Sequence, residues 1–436
     1  MSLPQPKNAA EALPEQADGA LPRSMAGGAS LALAARDGVS LSPPSRRVAF
    51  VIEALTVGGA EQMVVGLANR CRELGWDVHV ICLTRRGELA TRLHERIGVH
   101  VLDKRPRIDP RLPPRLRRLI DRLRPDVVNC HLWVANFWTR VSLVASGVPV
   151  IASEHSRDSW KPWHYRLLDR GLAPLTHALV AVSEDTASFY RQEIGLRDDL
   201  VRVVTNGVET SRFATCDGRA LREGWAPDGE LLIGTVGRLV AAKNHGRLLE
   251  MLVHLVAAGH DRVRLVIVGD GPGREALERR IEALVLGERV VLAGQREDVP
   301  DVMAAFDVFV LSSDREGHPL TALEAQAAGT PVVLTDVGGS AEAIARDSTG
   351  IAAGDTELTG GLLVAPDAEA LAAAVGWLVE RPVLRARMGA FARRHAFERF
   401  DREGTVSAYV TLFERAAAGC SASRSPGTAG GDGDAG

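Results

Sequence analysis

From Arg47 onward, short apolar runs alternate with segments whose apolar residues recur at helical spacing. In the first half the apolar runs are Arg47–Ile52, Val78–Leu83, Val99–Val101, Asp126–Cys130, Val148–Ala152, Ala178–Val182 and Val201–Val204, and helical patterns lie near residues 63–74, 111–123, 133–146, 160–172 and 184–193. Strands that alternate with helices indicate βαβ units around a parallel sheet. Uninterrupted apolar runs are typical of parallel strands that are buried on both faces.

The alternation restarts after the turn signal Asn206-Gly207-Val208. The second half contains the apolar runs Leu231–Val236, Arg264–Val268, Val290–Leu292, Asp307–Leu311, Pro331–Leu334 and Gly361–Val364, again with helical patterns between them. We therefore predict an α/β protein with two Rossmann-like domains that have parallel sheets. The predicted divisions are a disordered tail 1–45, a first domain 46–207, a second domain 208–400, a final helix 401–417 and a disordered tail 418–436.

Composition narrows the class of protein. The chain has 436 residues, a net charge of −3 and five scattered cysteines without CxxC or His-flanked spacing. A near-neutral charge gives no signature of nucleic-acid binding, and the cysteine pattern predicts free thiols in a reducing compartment. No apolar run reaches the length of a membrane span. The expectation is a cytoplasmic protein.

Two cations follow the first strand of the second half. Ligands of open parallel sheets bind at the carboxyl ends of strands, so this loop is a candidate site. Arg238 and Lys243 lie five positions apart in it, before a helix. A diphosphate that leaves in a reaction needs positive charge already in place, and Arg supplies a planar fork while Lys supplies a point charge. Taken alone, the loop fits two solvated cations better.

Two carboxylates, Glu316 and Glu324, follow the strand that ends at Leu311. Pro319 lies between them, where we predict the first position of a helix, because proline tolerates that position well. The first-turn amides at Leu320 and Thr321 then form an anion site. Carboxylates that bind hydroxyls beside a phosphate site suggest a sugar nucleotide. On spacing alone, a strand and helix with two solvated acids fits equally well.

Other loops after strands carry glycine, histidine or arginine. Gly269 and Gly271 begin a sequence that does not match the dinucleotide-binding fingerprint, because Arg274 replaces the third glycine. The two glycines still permit a nucleotide to approach the backbone closely. Gln295-Arg296 could face a base. In the first half, the candidates are Gly58 and Gly59 before a helix and His131 and His155 at neighbouring strand ends. A tight turn and structural histidines are the plain alternatives, and no metal-ligand spacing surrounds them.

The ordered set of motifs resembles the retaining glycosyltransferases of family 4. The resemblance covers roughly residues 47–415 and rests on Gly237-Arg238, Lys243-Asn244, Gly269-Asp270-Gly271-Pro272, the pair Glu316 and Glu324, Ala328-Gly329-Thr330-Pro331, and Gly338-Gly339 with Glu342. It implies the GT-B fold, in which two Rossmann-like domains face each other and the last helix crosses back onto the first. The segment 346–360 is longer and more polar than the family's pattern, which affects the rim of the cleft.

The resemblance also implies roles for the candidate residues. Arg238 and Lys243 hold the diphosphate of a nucleotide sugar, Glu324 takes the ribose hydroxyls and Glu316 contacts the donor sugar. The donor side is completed by Gly59, Gly269, Gly271, Arg296, Gly317, Leu320 and Thr321, and the acceptor side by Gly58, Gly59, His131 and His155. The expected catalytic residues are Glu316, His155, Arg238 and Lys243. Enzymes of this family retain anomeric configuration and need no bound metal or other cofactor.

The first half also carries two basic segments. Residues 104–124 contain nine cations, and residues 157–166 mix cations with aromatic rings. Such composition suits an anionic membrane surface, while a solvated helix face with a partly buried tryptophan pair explains it equally well. We hypothesise a peripheral protein at the inner face of the plasma membrane, with a glycan or polyprenyl-diphosphate-linked acceptor.

The expected function is transfer of a sugar, most simply from a UDP-sugar, in polysaccharide or glycolipid synthesis. One alternative is a nucleotide-sugar epimerase or phosphorylase of the same fold. Another, from a different class, is a non-catalytic sensor that binds a sugar nucleotide without turnover. Products assayed with and without an acceptor discriminate these three functions.

Overall fold

The structure is a computed structural model that describes residues 46–157, 162–346 and 359–424, with side chains in the last helix described up to residue 418. The predicted tail 1–45, residues 425–436 of the second tail, most of the segment 346–360 and residues 158–161 lie outside the described residues. Arg346 and Thr359, on either side of that segment, form an isolated antiparallel bridge. The two described residues that flank the segment are therefore paired with each other.

The first sheet has seven strands, all parallel, in the order β3-β2-β1-β4-β5-β6-β7. Its strands are β1 Arg47–Ala54, β2 Asp77–Arg85, β3 Gly98–Val101, β4 Val127–His131, β5 Val150–Glu154, β6 Ala178–Ala181 and β7 Val201–Val203. Its helices are α1 Gly59–Glu73, α2 Leu112–Leu123, α3 Trp133–Ser142, α4 Trp163–Leu172 and α5 Glu184–Ser188, which continues as a π-helical turn over Phe189–Glu193. The strand order reverses between β1 and β4.

The second sheet has six parallel strands in the order β10-β9-β8-β11-β12-β13. Its strands are β8 Leu231–Val236, β9 Val263–Val268, β10 Val290–Gly294, β11 Val308–Leu311, β12 Val332–Thr335 and β13 Gly361–Val364. The helices are α6 Arg219–Trp225, α7 His245–Ala257, α8 Arg274–Ala283, α9 Val299–Ala305, α10 Leu320–Ala328, α11 Ala368–Val379, α12 Pro382–Arg399 and α13 Arg402–Arg424. Here the order reverses between β8 and β11.

Apolar clusters cover both faces of each sheet. The last helix, α13, belongs to the core of the first sheet, where Val406, Tyr409, Phe413 and Ala416 are buried. The rings of Phe50 and Phe413 lie 6.0 Å apart, edge to face. The chain thus returns from the second sheet to the first, as the resemblance implies, and the predicted α/β class with two parallel sheets is confirmed.

The chain passes between the sheets twice, and the two crossings are paired. The amide of Val208 donates to the carbonyl of Phe400 at 2.8 Å, and the amide of Arg402 donates back to Val208 at 2.9 Å. A side chain at Gly207 would meet Arg402 Cα at 2.8 Å. The outward and return segments are therefore packed backbone against backbone beside the cleft.

Some predicted helix limits need correction. Pro319 is the cap of α10, with φ −70° and ψ 108°, and the first helical residue is Leu320. The last helix extends to Arg424 and passes its predicted end at Ala417.

Candidate active site

Lys243 and Glu316, from the loops after β8 and β11, form an ion pair at the reversal point of the second sheet. The Lys243 Nζ lies 2.6 Å from Glu316 Oε1, and Ser313 Oγ donates to the same oxygen at 2.5 Å. Glu316 is only 9% exposed, so its carboxylate is largely shielded from water. The predicted diphosphate cation therefore contacts the predicted sugar-binding acid.

Backbone and side-chain bonds hold these two loops together. The amide of Asp314 donates to the carbonyl of Ala242 at 2.9 Å, and Ser312 Oγ donates to the carbonyl of Lys243 at 3.0 Å. Arg247 donates to the carbonyl of Ser312 at 2.6 Å and pairs with Asp314 at 2.7 Å. Lys243 and Glu316 are thus placed by a rigid frame before any ligand arrives.

Arg238 is exposed in the same loop as Lys243. Its positive charge interacts with the carboxyl of Glu61 on the first-sheet side of the cleft. Burial raises the pKa of the Glu61 carboxyl in the first turn of α1, and the charge of Arg238 acts in the opposite direction. Thr56 Oγ1 donates to Glu61 at 3.3 Å. The first-sheet side of the cleft therefore offers a buried acid towards Arg238.

Gly269 and Gly271 do approach another segment closely, but that segment is the Arg238 loop. A Cβ at Gly269 would lie 1.9 Å from the carbonyl oxygen of Gly237, and one at Gly271 would lie 2.7 Å from that of Leu239. Both residues have positive φ, +139° and +157°, which glycine adopts readily. The glycines therefore set the position of the loop that carries Arg238.

The beginning of α10 lies next to the ion pair. No side chain caps this end, so the first amides at Leu320 and Thr321 keep the donor capacity of an open helix end. Glu324 lies further along the same helix, and burial raises its pKa to about 7, with Arg212 acting against that rise. A carboxyl of this kind changes charge near neutral pH.

Two glycines lie where the two sheets come close together. A Cβ at Gly317 would lie 1.9 Å from the carbonyl oxygen of His155. A Cβ at Gly59 would lie 3.3 Å from the side chain of Leu320, so the beginnings of α1 and α10 face each other. A Cβ at Gly58, the cap residue of α1, would lie 2.3 Å from Glu61 Oε2.

The Gly338-Gly339 segment joins the sheets beside this contact. A Cβ at Gly339 would lie 2.8 Å from Ser183. The carboxylate of Glu342 accepts from the amides of Glu184 and Asp185, at 2.7 Å and 2.9 Å, and thus binds the first turn of α5. An acid from the second sheet therefore satisfies open amides of the first, a favourable arrangement at a helix N-terminus.

His131 and His155 end neighbouring strands and are in contact. His131 Nδ1 lies 3.0 Å from His155 Nε2. Burial lowers the pKa of His155 to about 4. Burial, followed by the neighbouring His155, lowers the pKa of His131 well below its ordinary value. Both imidazoles are therefore neutral at physiological pH and can exchange hydrogen bonds but carry no charge.

Arg296 is engaged locally. Its guanidinium pairs with Asp298 at 2.5 Å and lies over the ring of Trp225, 5.7 Å from the centroid. These contacts fix the side chain on the loop after β10, while the sequence suggested a role beside a base.

Sequence reasoning assigned no role to Ser313 or Glu61, although the structure places both in the cleft. Ser313 lies three residues before Glu316. In the sequence pattern it is an ordinary loop serine. Glu61 begins an amphipathic helix, where an acid in the first turn usually interacts with the helix dipole. The position of Glu61 just after Gly58-Gly59, at the edge of the sheet where the strands end, was the sequence feature that pointed to the cleft.

Comparison with known proteins supports the assignment of both halves. Residues 57–212 match the family profile described as Glycosyltransferase Family 4, and residues 219–395 match the one described as Glycosyl transferases group 1. The GDP-mannose-dependent alpha-mannosyltransferase of Mycobacterium tuberculosis is 31% identical, which covers 70% of this chain and 83% of that protein.

Two further matches are a sequence relative and a solved structure. The Escherichia coli UDP-Gal:alpha-D-GlcNAc-diphosphoundecaprenol alpha-1,3-galactosyltransferase is 28% identical, over 52% of this chain and 61% of that protein. The crystal structure of Anabaena HepE in complex with UDP has a TM-score of 0.71 at 21% identity, and covers 85% of this chain and 100% of that chain. On these matches and on its two facing parallel sheets, the chain belongs to the family 4, group 1 glycosyltransferases and has the GT-B fold.

Proposed function

We propose that this glycosyltransferase retains the anomeric configuration of the sugar that it moves from a nucleotide diphosphate sugar to an acceptor hydroxyl. The observation that supports this best is the Lys243–Glu316 pair, 2.6 Å between Nζ and Oε1, at the reversal point of the second sheet and opposite the carbonyl of His155. Ligands of parallel α/β sheets bind at such points. The cleft offers both a cation for a diphosphate and an acid for sugar hydroxyls.

Each donor group has a matching residue. The diphosphate binds Arg238, Lys243 and the open amides of α10, which supply the positive charge that it needs. Lys243 leaves Glu316 to bind the diphosphate, and Glu316 then binds the donor sugar. The ribose hydroxyls donate to Glu324. Because these groups supply the charge, the proposal requires no metal ion.

The proposed step is a front-face displacement. The bond between C1 of the sugar and the diphosphate oxygen breaks, and the acceptor oxygen bonds to C1 from the same side. The acceptor proton passes to the departing phosphate oxygen. Negative charge grows on the diphosphate, so Arg238 and Lys243 stabilise the transition state more than the bound donor.

A UDP-sugar is the proposed donor, on the analogy of HepE bound to UDP and of the Escherichia coli relative named for UDP-galactose. The Mycobacterium tuberculosis relative is named for GDP-mannose, so the base must be tested. A ligand that binds only the folded protein raises its melting temperature. We expect UDP-sugars to raise it more than GDP- or ADP-sugars, and the reverse order would exclude a UDP donor.

We further propose a lipid-linked acceptor at an anionic membrane surface on the cytoplasmic side. Arg115, Arg118 and Arg122, from successive turns of α2, line a cavity of about 350 Å³ with His100. Nearby in the chain, Ile108 is 83% exposed. Among the described residues, no helix combines the length and apolar character needed to cross a bilayer, so attachment would be peripheral. Three buried free cysteines fit a reducing compartment.

Vesicle binding tests the membrane proposal. We expect the protein to co-sediment with vesicles of anionic phospholipid at low salt, and replacement of Arg115, Arg118 and Arg122 by Gln to abolish this. The matched control replaces three arginines of α8, which already have acidic neighbours: Arg274, Arg279 and Arg280. Equal losses in both triple variants would show a general charge effect and contradict a specific surface.

Transfer itself is tested at the ion pair. Glu316→Gln should lower the rate of transfer about a hundredfold or more while the protein stays folded. Arg238→Ala should lower the rate of transfer by a similar factor. Sugar transfer is followed with the acceptor present and absent, beside circular dichroism. Unchanged transfer in both variants would contradict the proposed site, and donor conversion without an acceptor would indicate epimerase or phosphorylase chemistry.

A further inference from the structure

A line of polar side chains connects the crossover helix α13 with His155 at the cleft. Tyr409 Oη donates to Ser153 Oγ at 3.1 Å, and Asn129 Nδ2 donates to the same oxygen at 2.9 Å. Asn129 Oδ1 lies 2.7 Å from His131 Nε2, and His131 Nδ1 lies 3.0 Å from His155 Nε2. All of these except His155 are fully buried. Such a line fixes where each proton resides.

The orientation of Asn129 is determined by a backbone carbonyl. Its amide nitrogen lies 3.0 Å from the carbonyl oxygen of Ile151, which can only accept a hydrogen bond. A flipped amide would place two acceptors in contact at a buried position. Asn129 therefore presents its oxygen to His131 Nε2, and this nitrogen must carry a hydrogen.

The proton on His131 determines the proton on His155. Burial, and then the neighbouring His155, lowers the pKa of His131 well below its ordinary value, so the ring is neutral. A neutral imidazole has one N–H, so His131 Nδ1 is an acceptor. His155 Nε2 must therefore be the donor across the 3.0 Å contact. His155 is itself neutral, because burial lowers its pKa to about 4, and its Nδ1 keeps a lone pair.

We propose that His131 is a positioning residue that holds His155 in the Nε2–H tautomer, so that His155 Nδ1 accepts a hydrogen bond from a sugar hydroxyl. Among the described residues, His131 provides the only side-chain hydrogen bond to the His155 ring. The carbonyl of His155 contacts the Gly317 loop next to Glu316, so the ring lies beside the proposed reaction site. The hydroxyl partner rests on the proposed function, whereas the tautomer does not.

Nitrogen NMR tests the tautomer directly. The protein is labelled with ¹⁵N-histidine, and the signals of the two rings are identified from spectra of the His131→Asn and His155→Asn variants. At neutral pH we expect the unaltered protein to show protonated Nε2 and unprotonated Nδ1 in both rings. A His155 ring with its hydrogen on Nδ1 would overturn the inference, whether or not transfer activity has been found.

Two substitutions at His131 then test the effect on transfer. His131→Leu removes the acceptor, whereas the amide oxygen of His131→Asn lies close to the former Nδ1 position. We expect Leu to lower kcat about tenfold to a hundredfold and Asn to restore most of it, as for loss and recovery of an oriented hydrogen-bond acceptor. Equal kcat in the Leu and Asn variants would contradict the positioning role.

Cys130→Ala is the matched control. Cys130 lies between Asn129 and His131 on β4, is equally buried, and packs in the cluster on the opposite face of the sheet. It should lower stability while the ¹⁵N pattern of both rings stays unchanged. If instead it lowers kcat as much as His131→Leu does, the effect of the latter is structural and the inference fails. Should the Leu variant not fold, the spectrum of the unaltered protein still decides the tautomer.

Discussion

Glu324 is a residue whose proposed role in donor binding comes at a cost in stability. Burial raises its pKa to about 7, so the folded protein keeps a proton that the unfolded chain releases above its ordinary pKa. The folded state binds more protons between those two values, and stability therefore falls as pH rises through that window. Above pH 7 the buried charge remains a constant cost, which donor hydroxyls would offset.

The first prediction concerns Glu324→Gln. Above pH 7 the variant should be more stable than the unaltered protein by on the order of 2 kcal/mol, because the buried charge is removed. The two proteins should converge in stability near pH 4. Urea unfolding at several pH values measures this difference. A variant that is less stable at pH 8 would contradict the assigned pKa.

The same carboxyl predicts how donor binding depends on pH. In the proposed complex the ribose hydroxyls donate to the ionised form, so the apparent KM for the donor should rise by up to about tenfold per pH unit below pH 7. In Glu324→Gln the KM should be higher throughout and nearly independent of pH in this range. The KM for the acceptor serves as the internal control and should not follow the same profile.

At the scale of elements, the cleft depends on contacts that glycine alone permits. The loop after β11 meets the end of β5 at Gly317 and His155, and a Cβ there would lie 1.9 Å from a carbonyl oxygen. Glu342 binds the first turn of α5 close by. Because backbone cannot yield as a flexible side chain can, any larger residue at Gly317 must separate the two sheets at this point.

We therefore expect Gly317→Ala to lower kcat/KM about a hundredfold, as displacement by an ångström does in an oriented site. Gly224→Ala on α6 is the matched control, because a Cβ there meets nothing within 4 Å, and it should be neutral or stabilising. Steady-state kinetics with thermal melting separates the two effects. Normal transfer by Gly317→Ala would show that this contact is not needed for catalysis.

The order of elements follows from the sequence because each buried parallel strand is a short apolar run. The residues after β8 and β11 are correctly expected to converge, since the carboxyl ends of neighbouring strands share one edge. The Lys243–Glu316 contact could not be predicted, because ion pairing depends on loop paths that Arg247 and Ser312 fix across the sheet. The contact of Gly269 with the Arg238 loop was missed for the same reason.

At the scale of the molecule, the crossover helix α13 belongs to the core of the sheet that it reaches last. Its apolar residues are spaced for one buried face, but no local pattern states which sheet receives them. The resemblance supplied this pairing, and the contacts of Phe413 with Phe50 and Trp76, each 6.0 Å between ring centroids, confirm it. The first sheet is therefore completed by residues from the end of the chain.

Phe413→Ala should consequently destabilise the protein by about 3–5 kcal/mol, as expected when a fully buried aromatic ring is removed. Phe397→Ala is the control, because Phe397 is 36% exposed on α12, and its cost should stay below about 1 kcal/mol. Denaturant unfolding followed by tryptophan fluorescence reports the loss, since Trp76 contacts Phe413. Similar costs in both variants would contradict the place of α13 in the first core.

We propose retaining transfer from a nucleotide sugar at the Lys243–Glu316 site. Proton NMR of the reaction as it proceeds can test this, since the anomeric signal of the first product is seen before any rearrangement. We expect a product with the anomeric configuration of the donor, formed by the unaltered enzyme and absent with Glu316→Gln. A first-formed product of inverted configuration, or equal formation by the Glu316 variant, would contradict it.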